Sequence, residues 1–499
     1  MHKINIIFPE PIGQINPNIY GHFVEHLGGV IYDGIWVGED SSIPNVKGFR
    51  KELVDMFKII NPPVIRWPGG CFAETYNWRD GIGPRGKRPK TAGWWSNDER
   101  KIESNAVGTH EFIDFCRLVG AEPYFAANAT TTTPLEIRNW VEYCNFPENS
   151  TSLAALRAEN GNPEPFNVMY WGIGNENWGY GGNMTPEYYC TQYRKYAITA
   201  GSVDKGIQLL ACGPEENDIE WTRRFFKEYR DVTIPSFNKM NGFSAHYYCG
   251  DTGGALDFDT NQWYDLLNKA FYMEELIVQQ RAVMDGFDPQ RKIDLIVDEW
   301  GCWHPEGSGP SKGDYFLEQQ STMRDALVAA ITLNIFNNHC DNVSMANLAQ
   351  LVNNLHSLFL ANGENLVATP NYYIFDMYKG HQNGIALKNI VESDQISYTF
   401  RGAEKKLDRL FCASSLKDGK LTVTAVNSHY TDDADVAFKL FTDKAYKISK
   451  KVVVNAPDPR MYNTFEQPYN IVPKELAPGG ELVVTIPAAS VMLLEIDMA

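Results

Sequence analysis

Between Asn18 and Leu351 the chain alternates short apolar, β-prone runs with stretches of helical periodicity, and it does so eight times. This rhythm restricts the possible folds severely, because parallel strands cannot be joined by tight turns and each successive pair needs a helical crossover. The strands are expected at Asn18–His26, Pro63–Gly70, Glu122–Asn128, Asn167–Gly174, Ile207–Cys212, Met240–Tyr248, Ile293–Val297 and Asn342–Leu351. Helices are expected at Phe49–Ile60, Thr109–Val119, Pro134–Cys144, Pro186–Ala200, Asp218–Tyr229, Gln262–Met284 and Tyr315–Asn337. Eight such units over roughly 370 residues fit a (β/α)8 TIM barrel. A doubly wound open sheet is the runner-up, but no GxGxxG follows the first strand.

Past Gly384 the pattern changes. Ile396–Phe400, Leu410–Ala413, Leu421–Val426, Val436–Leu440, Lys451–Val454, Glu481–Ile486 and Ser490–Ile496 are short alternating runs broken by Gly, Asp, Asn and Pro. They predict a C-terminal antiparallel β-sandwich of jelly-roll type. Lys3–Phe8 has no crossover helix and is free to pair into that sandwich. The expected domains are therefore an N-terminal strand at 1–15, the barrel at 16–383 and the sandwich at 384–499.

Charge and cysteine usage narrow the function. A formal charge of −17 argues against nucleic acid or an anionic membrane as partner, since both call for a basic face. The nine Cys are scattered, with no CxxC and no Cys/His spacing of a metal site, which fits reduced thiols and no bound metal. The N-terminus reads as a strand rather than a signal peptide, and no run of about 18 apolar residues occurs, so a cytoplasmic protein is expected. The 12 Trp and 25 Tyr suit either sugar faces or core packing.

Two strands end in carboxylates. Tyr170-Trp171-Gly172-Ile173-Gly174-Asn175-Glu176-Asn177-Trp178 runs from an apolar strand into an amide and an acid, and Ile293-Asp294-Leu295-Ile296-Val297-Asp298-Glu299-Trp300 repeats the arrangement. On a barrel both ends face one mouth. Desolvation there favours the neutral form of a carboxyl group and prepares it to act as an acid. Glycosidic hydrolysis needs such a pair, one to protonate the leaving oxygen and one to attack the anomeric carbon or activate water. Their separation, about 5 Å for retention or about 6.5 to 9.5 Å for inversion, decides between the two courses. Polar residues end other strands as well: Glu25, Arg66, His246 with Tyr248, and Asn347 with Gln350.

With these residues in view, the chain resembles glycoside hydrolase family 51, mostly α-L-arabinofuranosidases. The resemblance is carried by Tyr20-Gly21-His22-Phe23-Val24-Glu25-His26, Arg66-Trp67-Pro68-Gly69-Gly70-Cys71-Phe72, Tyr76-Asn77-Trp78-Arg79-Asp80-Gly81, Trp171-Gly172-Ile173-Gly174-Asn175-Glu176-Asn177-Trp178, His246-Tyr247-Tyr248, Val297-Asp298-Glu299-Trp300 and Met345-Ala346-Asn347-Leu348-Ala349-Gln350. It implies a retaining, exo-acting enzyme that takes terminal arabinofuranose from arabino-oligosaccharides or from arabinoxylan and arabinan fragments, without a cofactor and commonly as a hexamer. It further implies Glu176 as acid/base, Asn175 as partner of the sugar 2-hydroxyl, Glu299 as nucleophile, Glu25 and Gln350 as hydroxyl binders, Tyr248 beside the nucleophile and Trp303 at the pocket border.

Arg66 is placed by charge, as the guanidinium that holds Glu299 ionised; a rim salt bridge without catalytic effect is the other reading. Many members carry Asn where this chain has Cys71, and a thiol is a poor hydrogen-bonder. Cys71 is either a weakened sugar contact or inert packing. Thr130–Thr133 replaces a Gly-rich turn, and Trp94 and Trp95 either contact the leaving group or brace their loop. Two other activities stay open: an endo-β-glucanase or xylosidase on the same scaffold, and a carbohydrate-binding protein without catalysis.

Overall fold

The computed structural model describes residues 1–94 and 102–499, so Trp95 lies outside the described residues. The first strand is β1 (His2–Gln14), and after it come β2 (Gly21–Phe23), β3 (Val64–Trp67), β4 (Glu122–Ala127), β5 (Tyr170–Ile173), β6 (Gln208–Ala211), β7 (Gly242–Gly250), β8 (Asp294–Trp303) and β9 (Val343–Ala349). From β2 to β9 they close into a barrel in chain order, each strand beside the next and β9 beside β2. The pairings from β2 through β7 are parallel.

Helices α1 (Lys51–Ile59), α2 (Thr109–Val119), α3 (Pro134–Asn145), α4 (Ser152–Glu159), α5 (Pro186–Gly201), α6 (Ile219–Arg230), α7 (Thr260–Asp285) and α8 (Met323–Asn338) separate the barrel strands, and α9 (Pro370–Tyr378) comes after them. Local chemistry sets their ends. Gly120 takes φ 82° after α2 and returns its N–H to the Cys116 carbonyl, a left-handed cap that a side chain would strain. Asp218 accepts the N–H groups of Glu220 and Trp221 at the start of α6.

All four residues of β3 are buried, as expected of a strand covered on both faces. Trp67 of β3 stacks on Phe112 of α2 with centroids 5.0 Å apart. Phe125 of β4 stacks on Trp140 of α3 at 4.8 Å, and Trp140 meets Trp171 of β5 edge-on at 5.4 Å. Much of the aromatic content is thus spent between strands and helices.

By compactness the chain divides into two units. Met1–Tyr20, Tyr248–Ile277 and Trp300–Ala499 form one, and Gly21–Tyr247 with Val278–Glu299 the other. The first contains the C-terminal sheet, whose strands are β10 (Ile385–Glu392), β11 (Leu410–Lys417), β12 (Lys420–Asn427), β13 (Ala434–Phe441), β14 (Tyr446–Val454), β15 (Lys474–Leu476), β16 (Val483–Ile486) and β17 (Ser490–Met498). The sheet order is β15-β14-β17-β12-β11-β10-β1-β13-β16. Alternate residues of eight of these nine strands, among them Ile4, Val423, Val436, Val453, Ile486 and Leu494, share one buried apolar cluster, so the sheet folds over on itself around a common interior.

Several expectations need correction. The helix expected from Tyr315 begins at Met323, because Thr322 is its N-cap and Asp325 returns a carboxylate to the Thr322 N–H in a capping box. Ile396–Phe400 joins no sandwich strand. It pairs with Ala403–Asp408 across Arg401 and Gly402, both at positive φ as a tight hairpin requires. Tyr398 and Lys405 of that hairpin reach Asp265 at 3.1 and 2.7 Å, which anchors it to α7 instead. The sheet is not purely antiparallel, since β1 lies parallel to β13. Helices α4 and α9 and the hairpin Phe359–Ala368 were not expected.

Candidate active site

After β5 the chain turns through Gly174, at φ 85°, where a Cβ would fall 2.2 Å from the Asn177 amide oxygen. Glu176 then adopts φ 42°, in the left-handed region that side chains disfavour. Its carbonyl accepts the N–H groups of Gly179 and Gly181 at 2.8 and 3.0 Å, so the turn closes on itself. The side chain is 17% exposed, and its Oε1 lies 3.0 Å from His246 Nδ1 of β7.

The same His246 nitrogen is 3.5 Å from Oε2 of Glu299, on β8, whose side chain is 8% exposed. One oxygen of each carboxylate and this nitrogen all lie within 4.8 Å of one another. Burial lowers the pKa of His246, but the charge of Glu299 and the contact with Glu176 outweigh it, and the net shift is upward.

Arg66 of β3 is buried and directs one arm at each partner. Its Nη1 donates to Glu299 Oε1 at 2.6 Å and its Nη2 to Asn175 Oδ1 at 2.6 Å. The Asp298 carboxylate is 3.9 Å from its Nε, and the Phe23 ring lies 4.7 Å beneath it. A guanidinium so placed favours the charged form of Glu299. Glu25, two residues past β2, accepts the Phe72 N–H at 3.0 Å. Burial, reinforced by the Glu299 charge, pushes its pKa up to about 8. A Cβ at Gly70 would come within 2.5 Å of Glu25 Oε2, so a side chain there would have to displace that carboxylate.

Cys71 is buried between Asn175 and Glu176. Its sulfur accepts from Asn175 Nδ2 and donates to Glu176 Oε2, both at 3.8 Å, and burial raises its pKa strongly. The structure therefore brings together Glu25, Arg66, Cys71, Asn175, Glu176, His246 and Glu299. Tyr248, Trp303 and Gln350 belong to the other compact unit. There Tyr248 and Trp303 meet edge-on at 5.3 Å with Trp303 42% exposed, while Gln350 is buried directly after β9. Trp94 lines a small cleft with His26, Leu27, Tyr32, Phe72 and Ile102.

One residue escaped the sequence reading. Glu74 is 1% exposed and accepts the Asn175 N–H at 2.6 Å and the Asn177 side-chain amide at 2.9 Å. Its other oxygen accepts the N–H groups of Ala129 and Thr130 at 2.9 and 3.0 Å. The largely exposed Thr130–Thr133 segment is tied to the same turn: Thr131 Oγ1 donates to the Glu74 carbonyl and Thr130 Oγ1 to that of Gly181, at 2.9 and 2.8 Å. The available signal was a lone acid inside the apolar run Cys71-Phe72-Ala73-Glu74.

Among the described residues, two groups have the donor types and spacing to hold a cation: Glu176, His246 and Glu299, and the buried set Cys302, His304 and Asp325. In the second, His304 Nε2 is 2.8 Å from Asp325 Oδ1, and Asp325 Oδ2 caps α8 through the Thr322 N–H at 2.7 Å. No helix among the described residues is long and apolar enough to cross a membrane.

Known proteins share this design. Residues 56–255 match the family model described as Alpha-L-arabinofuranosidase 1 domain, and residues 298–490 match Alpha-L-arabinofuranosidase C-terminal domain. The chain is similar to a protein of Bacteroides ovatus named intracellular exo-alpha-L-arabinofuranosidase, at 38% identity over 97% of this chain and 93% of that one. Among solved structures, the GH51 arabinofuranosidase of Xanthomonas axonopodis pv. citri superposes with a TM-score of 0.92 at 36% identity, covering all of both chains. The Thermotoga maritima alpha-L-arabinofuranosidase in its arabinose complex gives a TM-score of 0.86 at 30% identity, again over both chains entirely.

Proposed function

Since the chain belongs to the α-L-arabinofuranosidases of glycoside hydrolase family 51, we propose that it releases terminal non-reducing arabinofuranose from arabino-oligosaccharides or arabinoxylan and arabinan fragments by double displacement. Glu299 attacks the anomeric carbon while Glu176 gives its proton to the departing oxygen, leaving the sugar esterified to Glu299. Water then attacks the same carbon, Glu176 takes its proton, the ester bond breaks, and the sugar leaves with its original configuration. The observation that carries this reading is the approach of the two carboxylates to within 4.8 Å, which leaves little room for the interposed water of an inverting enzyme.

Arg66 keeps Glu299 ionised for attack, and His246 spans the two acids. Glu25, Asn175, Tyr248, Trp303 and Gln350 serve the sugar, while Cys71 packs beside Asn175 and Glu176. A cytoplasmic location and a homo-oligomer, in the family pattern a hexamer, belong to the same proposal, as do domain bounds at 1–15, 16–383 and 384–499.

The test tracks product anomers by NMR during hydrolysis of an aryl α-L-arabinofuranoside. The α-anomer must appear first; initial release of the β-anomer overturns the double displacement. Turnover of the matching xyloside or of a soluble β-glucan above that of the arabinofuranoside would instead favour the other substrates on this scaffold.

A further inference from the structure

We infer that Glu74 is a positioning residue for Glu176, fixing the peptide just before it so that the acid/base stays aimed at the leaving oxygen. The inference rests on the role proposed above for Glu176. Three segments converge on this one buried carboxylate: its own turn after β3, the loop after β4 through the N–H groups of Ala129 and Thr130, and the loop after β5 through Asn175 and Asn177. All four partners are donors, and each carboxylate oxygen accepts two of them. Only an acceptor-only group satisfies that set; a glutamine would aim its own N–H groups at two of the four.

The clamp matters because it grips the chain beside a strained residue. Glu176 sits at φ 42°, a conformation that persists only where its surroundings over-determine it. On its C-terminal side the Glu176 carbonyl is held by Gly179 and Gly181. On its N-terminal side the Asn175 N–H is held by Glu74 at 2.6 Å. Asn177 closes the loop, donating its side-chain amide both to Glu74 at 2.9 Å and to the Gly181 carbonyl at 2.8 Å. Release of the Glu74 end frees the residue that carries the proton, while Glu299, held by Arg66 and not by Glu74, keeps its place.

That asymmetry supplies the test. In the full-length Glu74→Gln variant, kcat/KM is measured on aryl α-L-arabinofuranosides whose phenols range from good to poor leaving groups. Protonation by a positioned acid contributes about 10²- to 10⁴-fold where the leaving group needs it, so a misplaced acid costs about 10- to 100-fold on the poorest phenol and less than about threefold on the best. Equal losses across the series, or none, overturn the inference, because a brace with no bearing on Glu176 would not discriminate between leaving groups.

Asn177→Ala removes one donor from the clamp and leaves the carboxylate in place. It is expected to show the same discrimination at smaller size, and it decides the matter if Glu74→Gln does not fold. Glu176→Ala, run in parallel, separates the two levels. It should lose the poor leaving groups selectively and regain turnover on the best one when azide replaces the base-dependent water. If it does neither, the assignment of Glu176 falls; if it does both while the Glu74 and Asn177 variants lose evenly, only the inference falls.

Discussion

Glu25→Gln probes the protonation state of a buried acid without changing its shape. Glu25 is 3% exposed, accepts one N–H from Phe72, and has its pKa pushed from the ordinary 4.5 up to about 8, first by burial and then by the charge of Glu299. The native protein therefore holds a proton that the unfolded chain has already released anywhere between those values. Its contribution to stability is complete below the unfolded pKa and is lost as pH rises through the folded one, with a slope of about −1.4 kcal/mol per pH unit. Over the whole window this amounts to about 5 kcal/mol.

Glutamine keeps the acceptor for Phe72 and has nothing to titrate. The melting temperature of Glu25→Gln relative to the parent should therefore climb steadily between about pH 5 and pH 7.5, by roughly 1 to 2 °C for each kcal/mol in a chain of this size. His246, whose pKa is also raised, loses stability with rising pH in both proteins and cancels in the difference. Scanning calorimetry at half-unit intervals measures the trend. A difference in melting temperature that stays constant across the window would mean that Glu25 is ionised throughout, and the reasoning from burial would be wrong.

Arg66→Lys keeps one positive charge but cannot reach Glu299 and Asn175 together. Losing one charge-assisted hydrogen bond should lower kcat/KM about 10- to 100-fold on an aryl arabinofuranoside. Cys71→Ala should change kcat/KM less than about threefold, because both sulfur contacts are long and weak; a larger loss would make the thiol a true partner of the sugar site. Asp325→Asn disturbs both the His304 contact and the cap of α8, and should cost about 3 kcal/mol or more, read as a lower melting temperature. Glu299→Ala should be inactive even on an aryl arabinofuranoside with a good leaving group, as judged by the released phenol.

The parts of the fold legible in the sequence were those whose periodicity is strong and whose ends carry local punctuation. Helix α2 runs over Thr109–Val119 as expected, with Gly120 as its stop. Helix α8 misled because it is buried along nearly its whole length, so no polar face marks its register, and the apolar run Tyr315-Phe316-Leu317 upstream invites an early start despite the polar residues Glu318–Thr322 between. Its true start was written in Thr322 and Asp325, a capping box without Glu or Gln.

The Ile396–Phe400 hairpin has strand-like alternation, and nothing local distinguishes pairing with its neighbour from pairing into the sheet; Asp265, far away in the chain, decides it. At the site, the carboxylates and Arg66 were visible because strands that alternate with helices deliver their ends to one rim. Glu74 was not, because its importance lies in four donors drawn from two other loops, and a sequence does not show which amides a carboxylate will meet.

The first strand bears on how the protein is made. β1 lies between β10 and β13, pairing Lys3 with Glu392 on one side and with Ala437 on the other. β10 begins at Ile385 and β13 at Ala434, so a ribosome releases this segment long before either neighbour. Until they emerge this segment is a strand with both edges open, the state most prone to pair with the wrong partner. Completion of the sheet is thereby deferred until the residues past Ala434 are made, and a chain that stops before Ala434 leaves β1 unpaired on one side.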